Sequence, residues 1–148
     1  MKRVPRPEHP SSREPPAELA TVWPARPPLK GNSPVKYMLQ VRFNGADAAI
    51  ARLSAHERDA VVAEFESIGR LPGVLDGNQL QPAVAATTVR ISDGQTETAP
   101  GPAVSPTAAL DGYYLYDAPD LDAAIALAAR IPATRLGATI EIRPVVER

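Results

Sequence analysis

The sequence predicts an α+β domain in which two helices cover one face of an antiparallel sheet, and three observations predict it. Apolar and polar residues alternate with period two near both ends of residues 35–148. Two stretches of helical period are each opened by a capping residue, and a β-branched run followed by Asp93-Gly94 adds a hairpin between them.

The elements follow in order. In residues 36–43 (KYMLQVRF), Tyr37, Leu39, Val41 and Phe43 share one face and Met38, Gln40 and Arg42 the other, the pattern of a half-buried strand. Asn44-Gly45 marks a turn. Ser54-Ala55-His56-Glu57 reads as a capping box: the serine hydroxyl accepts from the Glu57 amide, the carboxylate accepts from the Ser54 amide, and a helix starts at Ala55. Val61, Phe65 and Ile68 supply its apolar face with Val62 beside them, Glu57, Arg58, Glu64 and Glu66 are left for solvent, and Pro72-Gly73 bounds it. Residues 74–80 and 87–91 are strands, the second because Thr87, Thr88, Val89 and Ile91 are β-branched, and Asp93-Gly94 turns it back into residues 95–98.

A strand over 113–116 precedes Asp120, which caps a helix whose Leu121, Ile125 and Ala128 share the apolar face with Leu127 and Ile131 on its flank; Pro132 stops it. In residues 138–144, Ile140 and Ile142 alternate with Glu141 and Arg143 as a final strand. The order strand, helix, strands, strand, helix, strand is that of a ferredoxin-like split β-α-β sandwich with an inserted hairpin. Its second sheet face, with Met38, is left to be covered by something else.

Residues 1–34 follow a different composition. They hold nine of the 17 prolines and six Lys/Arg against three Asp/Glu, and their large apolar residues, Val4, Leu19, Val22, Trp23 and Leu29, are too scattered to bury a face. This segment is expected to be a disordered extension. Residues 35–148 hold ten Lys/Arg against 14 Asp/Glu, so neither part has the footprint of a nucleic-acid partner. Without cysteine the chain has no disulfide, thiolate nucleophile or thiolate ligand, and His9 with His56 provides no metal-ligand spacing. No apolar run is long enough to span a bilayer and no signal-peptide core opens the sequence, so a cytoplasmic protein without a membrane partner is expected. Pro72 interrupts the glycines between Gly69 and Gly77 and no Lys-Ser/Thr follows, which argues against a phosphate loop.

The block from Leu75 to Asp117 carries Leu80-Gln81-Pro82, Ala86-Thr87-Thr88-Val89-Arg90, Gly101-Pro102 and Leu110-Asp111-Gly112-Tyr113-Tyr114-Leu115 without a gap. These runs resemble the YCII-related proteins of the DGPF group, where the corresponding stretches read LQP, TATTVR, DGPF and LGGFYL. The signature tetrapeptide is here Pro100-Gly101-Pro102-Ala103, without its acid and its aromatic ring. The resemblance starts at Val35-Lys36-Tyr37-Met38-Leu39, where relatives begin Met-Lys-Tyr-Met. Residues 1–34 have two readings: an extended arm whose prolines, Trp23 and arginines meet a partner, or, the preferred one, a start codon placed too far upstream, with Val35 encoded by a GTG initiator and its purine-rich ribosome-binding sequence read as Lys30-Gly31. The resemblance implies a dimeric α/β barrel, two subunits packed sheet to sheet, and hence a homodimer. It also implies proximity to extracytoplasmic-function sigma factors, and no common reaction.

Gln79, Gln81, Arg90, Gly101, Pro102 and Tyr113 are the candidate ligand-binding residues, drawn from strands and a loop that the topology brings together. Their polar ends line a pocket or satisfy the hairpin and the dimer rim, and both readings stay open. Arg90 is the foremost of them, because a planar guanidinium clamps a carboxylate or carbonyl oxygen bidentately. Gly101 and Pro102 shape backbone and bring no reactive group. His56, at the second position of a helix, is expected in solvent. Some wider YCII relatives carry a His and an Asp proposed as a catalytic pair, but the first strand here has no His, so the pair does not transfer. Asp117 is read as opening the turn at Ala118-Pro119.

The expected function is a dimeric, non-catalytic module that binds a small-molecule ligand or a regulatory protein, with no cofactor and no metal. The alternative is an enzyme of the dimeric α/β barrel type acting on a carbonyl or aromatic compound, in which Arg90 and Tyr113 polarise an oxygen. A third reading is a structural dimer in a larger assembly.

Overall fold

The computed structural model describes residues 34–147, so the expected disordered extension lies outside the described residues except for Pro34. Alternation in the first strand has the predicted consequence. In β1 (Val35–Arg42), Tyr37, Leu39 and Val41 are buried, Leu39 completely, while on the other face Met38 and Arg42 are partly covered and Gln40 between them is buried too. β1 lies between β5 (Gly112–Ala118) and β6 (Thr139–Pro144), and β2 (Val74–Gln79) pairs with the far edge of β5. The sheet order is β2-β5-β1-β6 with every pair antiparallel, the ferredoxin-like arrangement. β3 (Thr87–Ser92) and β4 (Gln95–Pro100) form the inserted hairpin as a separate two-stranded sheet, longer than the sequence predicts. Asp93 and Gly94 both take positive φ, 47° and 75°, as its two-residue turn requires. This compact unit ends at Val145.

Three α-helices are described: α1 (Asp47–Ala51), α2 (Ala55–Gly69) and α3 (Leu121–Arg130). The capping box of α2 is complete. The Glu57 amide donates to Ser54 Oγ at 3.2 Å and the Ser54 amide to Glu57 Oε2 at 2.7 Å. At the start of α3 the Ala123 amide donates to Asp120 Oδ1 at 2.8 Å. α1 is absent from the sequence-based expectation, although the run from Ala46 to Ala51 is rich in alanine, the best helix former.

The inward face of α3 differs from the expected one. Ala124, Leu127 and Ala128 are buried and continue into Ile131, whereas Leu121 and Ile125 are half exposed, at 49% and 50%. Both stripes satisfy the helical period. The one that wins combines two alanines, which let the helix backbone sit close to the sheet, with Leu127 and Ile131, which fill the remaining space.

One cluster of buried side chains, including Tyr37, Leu39, Val41, Ile68, Tyr114, Ala124, Leu127 and Ile131, joins the helices to one face of the sheet. The other face carries Lys36, Met38, Gln40 and Arg42, opposite Asp117, Leu115 and Tyr113 of β5, with Glu141 and Arg143 on β6. Its polar groups are organised. Arg42 Nη2 donates to Gln40 Oε1 at 3.0 Å, Arg42 Nε to the Ala108 carbonyl at 3.3 Å, and Arg42 Nη1 lies 3.6 Å from Glu141 Oε2. No helix among the described residues is long and apolar enough to cross a membrane.

Candidate functional site

The packing of α2 leaves a cavity of about 480 Å³ between α1, α2 and the sheet where β2 meets β5. Its walls are built by local sequence. Val41 and Phe43 come from the end of β1, Ile50 and Leu53 from α1 and the turn after it, and Val61, Val62 and Phe65 from α2. Of the α2 side chains only Ile68 is buried, so this helix covers the sheet without filling the space beneath.

The floor is made of strand positions without bulk. Gly77 on β2 stands opposite Tyr114 on β5, and a Cβ there would overlap the tyrosine ring at Cδ1. Glycine is what lets the aromatic ring lie over β2. The Tyr114 hydroxyl donates to the Phe65 carbonyl at 3.0 Å, tying β5 to α2, and burial pushes its phenol up to about 12. At neutral pH it therefore holds α2 in place and gives up no proton.

The cavity also has a charged border. Asp47, Arg58 and Glu66 are exposed, and Glu66 pairs with Arg70 at 3.3 Å. Asp111 is partly buried, and its Oδ2 accepts from the Phe43 amide at 2.7 Å. The main chain of the same residue is fixed on both sides. Its amide donates to the Val41 carbonyl at 2.9 Å, and its carbonyl accepts from the Leu80 amide at 2.8 Å.

The predicted ligand residues are distributed over three places. Gln79 and Tyr113 border the cavity under α2. The Tyr113 hydroxyl donates to Asp76 Oδ2 at 2.9 Å and accepts from Asn78 Nδ2 at 3.1 Å. Gln81 and Pro102 line a second, more open cavity of about 630 Å³ beside the hairpin, together with residues such as Val89, Val104 and Leu110. Arg90 and Gly101 border neither; Arg90 is exposed on β3 opposite Glu97. Gly101, with φ +94°, is a turn residue whose amide donates to the Ala86 carbonyl at 2.7 Å and whose carbonyl accepts from Thr88 Oγ1 at 2.8 Å. His56 is exposed, as expected, and Asp117 belongs to β5.

Asp111 stands in the sequence only as part of the Leu110–Leu115 motif, and no local pattern marks Ile50 or Leu53 as site residues. Alanine enrichment between Ala46 and Ala51 was the available signal for α1, while nothing local announces the contact between Asp111 and the Phe43 amide. Among the described residues there is no group of three or more His, Asp or Glu side chains that could hold a metal ion.

The family model of the YCII-related domain matches residues 35–148. The chain belongs to the YCII-related domain family. No curated protein matches it. The matched region includes both cavities and all six predicted ligand residues.

Proposed function

We propose that this YCII-related protein is a small cytoplasmic binding module that holds an organic molecule without transforming it and works as a homodimer. The observation that carries the reading is the cavity under α2. Its volume is that of a small-molecule site, its walls are mostly apolar, and among the described residues its lining contains no histidine, serine, threonine or lysine. The lining phenol of Tyr114 is engaged with a backbone carbonyl and stays protonated at neutral pH.

Dimerisation is supported by the second face of the sheet. Met38 and Leu115 are paired across β1 and β5 at its centre, both partly exposed, with Lys36, Gln40, Arg42 and Glu141 around them. Two such faces packed together give the barrel that the resemblance implies. In this reading Gln79 borders the ligand, and Tyr113 reaches the cavity from a strand position that shares the other sheet face with Met38 and Gln40. Gln81, Arg90, Gly101 and Pro102 mark the hairpin side as the surface read by a regulatory partner, in keeping with the sigma-factor association of similar proteins.

A thermal-shift screen of small organic compounds, with every hit followed for consumption by mass spectrometry, tests the function. Stabilisation without turnover is expected; a ligand held at 100 times its dissociation constant raises stability by about 2.7 kcal/mol. Turnover of a carbonyl or aromatic compound by the purified protein overturns the non-catalytic reading. Sedimentation at micromolar concentration tests the dimer, and Met38→Asp is expected to shift it toward monomer because a carboxylate would be buried without a partner.

A further inference from the structure

We propose that the cavity under α2 selects a small apolar amine, with Asp111 as the group that recognises its ammonium; the inference rests on the binding function proposed above. The cavity offers an apolar body its surroundings in Val41, Phe43, Ile50, Leu53, Val61 and Phe65. An apolar compartment of this kind has affinity but little orientation, and orientation comes from the few polar groups set into it.

Asp111 differs from the other charged groups of the border. Asp47, Arg58 and Glu66 are exposed, where water screens a charge strongly, while Asp111 is partly buried. It is also the best positioned. Three hydrogen bonds, from the Phe43 amide to its Oδ2, from its amide to the Val41 carbonyl and from the Leu80 amide to its carbonyl, hold the residue at the junction of β1, β2 and β5. Oδ2 is engaged by the backbone amide, while Oδ1 has no protein hydrogen-bond donor among the described residues. A carboxylate oxygen accepts more than one hydrogen bond, and a charged donor makes the stronger one.

The rest of the border favours the same charge. Asp47 and Glu66 add negative charge, against Arg58, the one lining cation among the described residues, which lies exposed on α2. An anionic ligand would have to sit beside Asp111 with its counter-charge in solvent. A neutral ligand would leave the fixed carboxylate oxygen to water. An ammonium on an apolar body satisfies both the walls and the acid.

The test uses the full chain and three probes of similar size and different charge: phenethylamine, phenethyl alcohol and phenylacetate, with binding followed by ligand-observed NMR. The amine is expected to bind at least about tenfold more tightly than either analogue, the scale of one charge-assisted contact. Asp111→Asn keeps an oxygen for the Phe43 amide while removing the charge, and should bring the amine to the level of the alcohol. Val61→Trp fills the cavity and should abolish binding of all three. If the alcohol or phenylacetate binds as well as the amine and Val61→Trp removes that binding, the selectivity is wrong and the binding site stands. If no probe binds, or Val61→Trp leaves binding unchanged, both the selectivity and the cavity's role as the ligand site fall. The three-probe series on the unsubstituted chain decides the preference even where Asp111→Asn does not fold.

Discussion

α2 and α3 lie against the same face of the same sheet, yet they are anchored by different physics. α3 buries Ala124, Leu127 and Ala128 and runs into the buried Ile131 and Pro132, so its contact with the sheet is apolar and full. α2 is longer but buries only Ile68, and Val62 is 54% exposed. Beside the partly buried Phe65, polar contacts hold it: the Tyr114 hydroxyl on the Phe65 carbonyl and Glu64 paired with Arg135, with one bond of 2.8 Å, while the Ser54–Glu57 capping box fixes its own first turn. The difference teaches where a binding site comes from in a domain this small. A helix secured by its apolar face closes the core, whereas a helix secured by hydrogen bonds at a few points can stand over an empty volume.

The largest effect should come from breaking the apolar anchor. Leu127→Ala is expected to cost about 2–5 kcal/mol of global stability, read from denaturant unfolding, because the close-packed side of the sheet cannot collapse around the deletion. A cost no greater than that of Phe65→Ala would mean that the two helices are not anchored differently. Gly77→Ala is expected next, at about 1–3 kcal/mol, since the new methyl group displaces the Tyr114 ring. The near-ultraviolet circular dichroism of the tyrosines should change with it.

Smaller effects should be confined to α2. Ser54→Ala removes one half of the capping box and should cost about 1 kcal/mol. Tyr114→Phe leaves the Phe65 carbonyl without its hydroxyl partner and should cost about 0.5–1.5 kcal/mol. In both variants hydrogen exchange should accelerate in α2 while α3 keeps its protection. Equal acceleration in the two helices would show that they open as one unit.

Glu64→Gln should have the smallest effect and a pH signature. The Arg135 hydrogen bonds hold the Glu64 carboxyl below the usual value of 4.5. A depressed folded-state pKa adds stability above the unfolded value, and that stability is lost as pH falls through the folded value. The variant should therefore melt slightly below the original protein at neutral pH, and the gap should close in acid. A gap that persists once Glu64 is protonated in both the folded and the unfolded protein would assign the effect to packing of the side chain rather than to its charge.

Much of the fold is legible in residues close together along the chain. The alternation of Tyr37, Leu39 and Val41 with Met38 and Gln40 identifies β1 and its two faces, and Ser54 with Glu57 starts α2 at the observed residue. Asp93-Gly94 places the hairpin turn, and the order of strands and helices predicts the observed ferredoxin-like sheet. The site is far less legible. Gln79 and Tyr113 border the cavity under α2, but most of its walls come from residues that the period assigns to core or leaves unread, such as Phe43, Ile50 and Leu53.

The sequence by itself determined the strands and the two longer helices, with their ends to within a few residues, because caps, turns and amphipathic periods act over one to four residues; it left α1 unread. It did not determine which of two apolar stripes on α3 turns inward. Leu121-Ile125-Ala128 and Ala124-Leu127-Ala128-Ile131 both repeat at helical spacing, and only close packing against the sheet distinguishes them. Tertiary structure also decided the cavity. Gly77 accommodates Tyr114 from the neighbouring strand, and the Asp111 carboxylate meets the Phe43 amide across 68 residues of chain. Such contacts depend on how separate elements fit together in space, which no local pattern encodes.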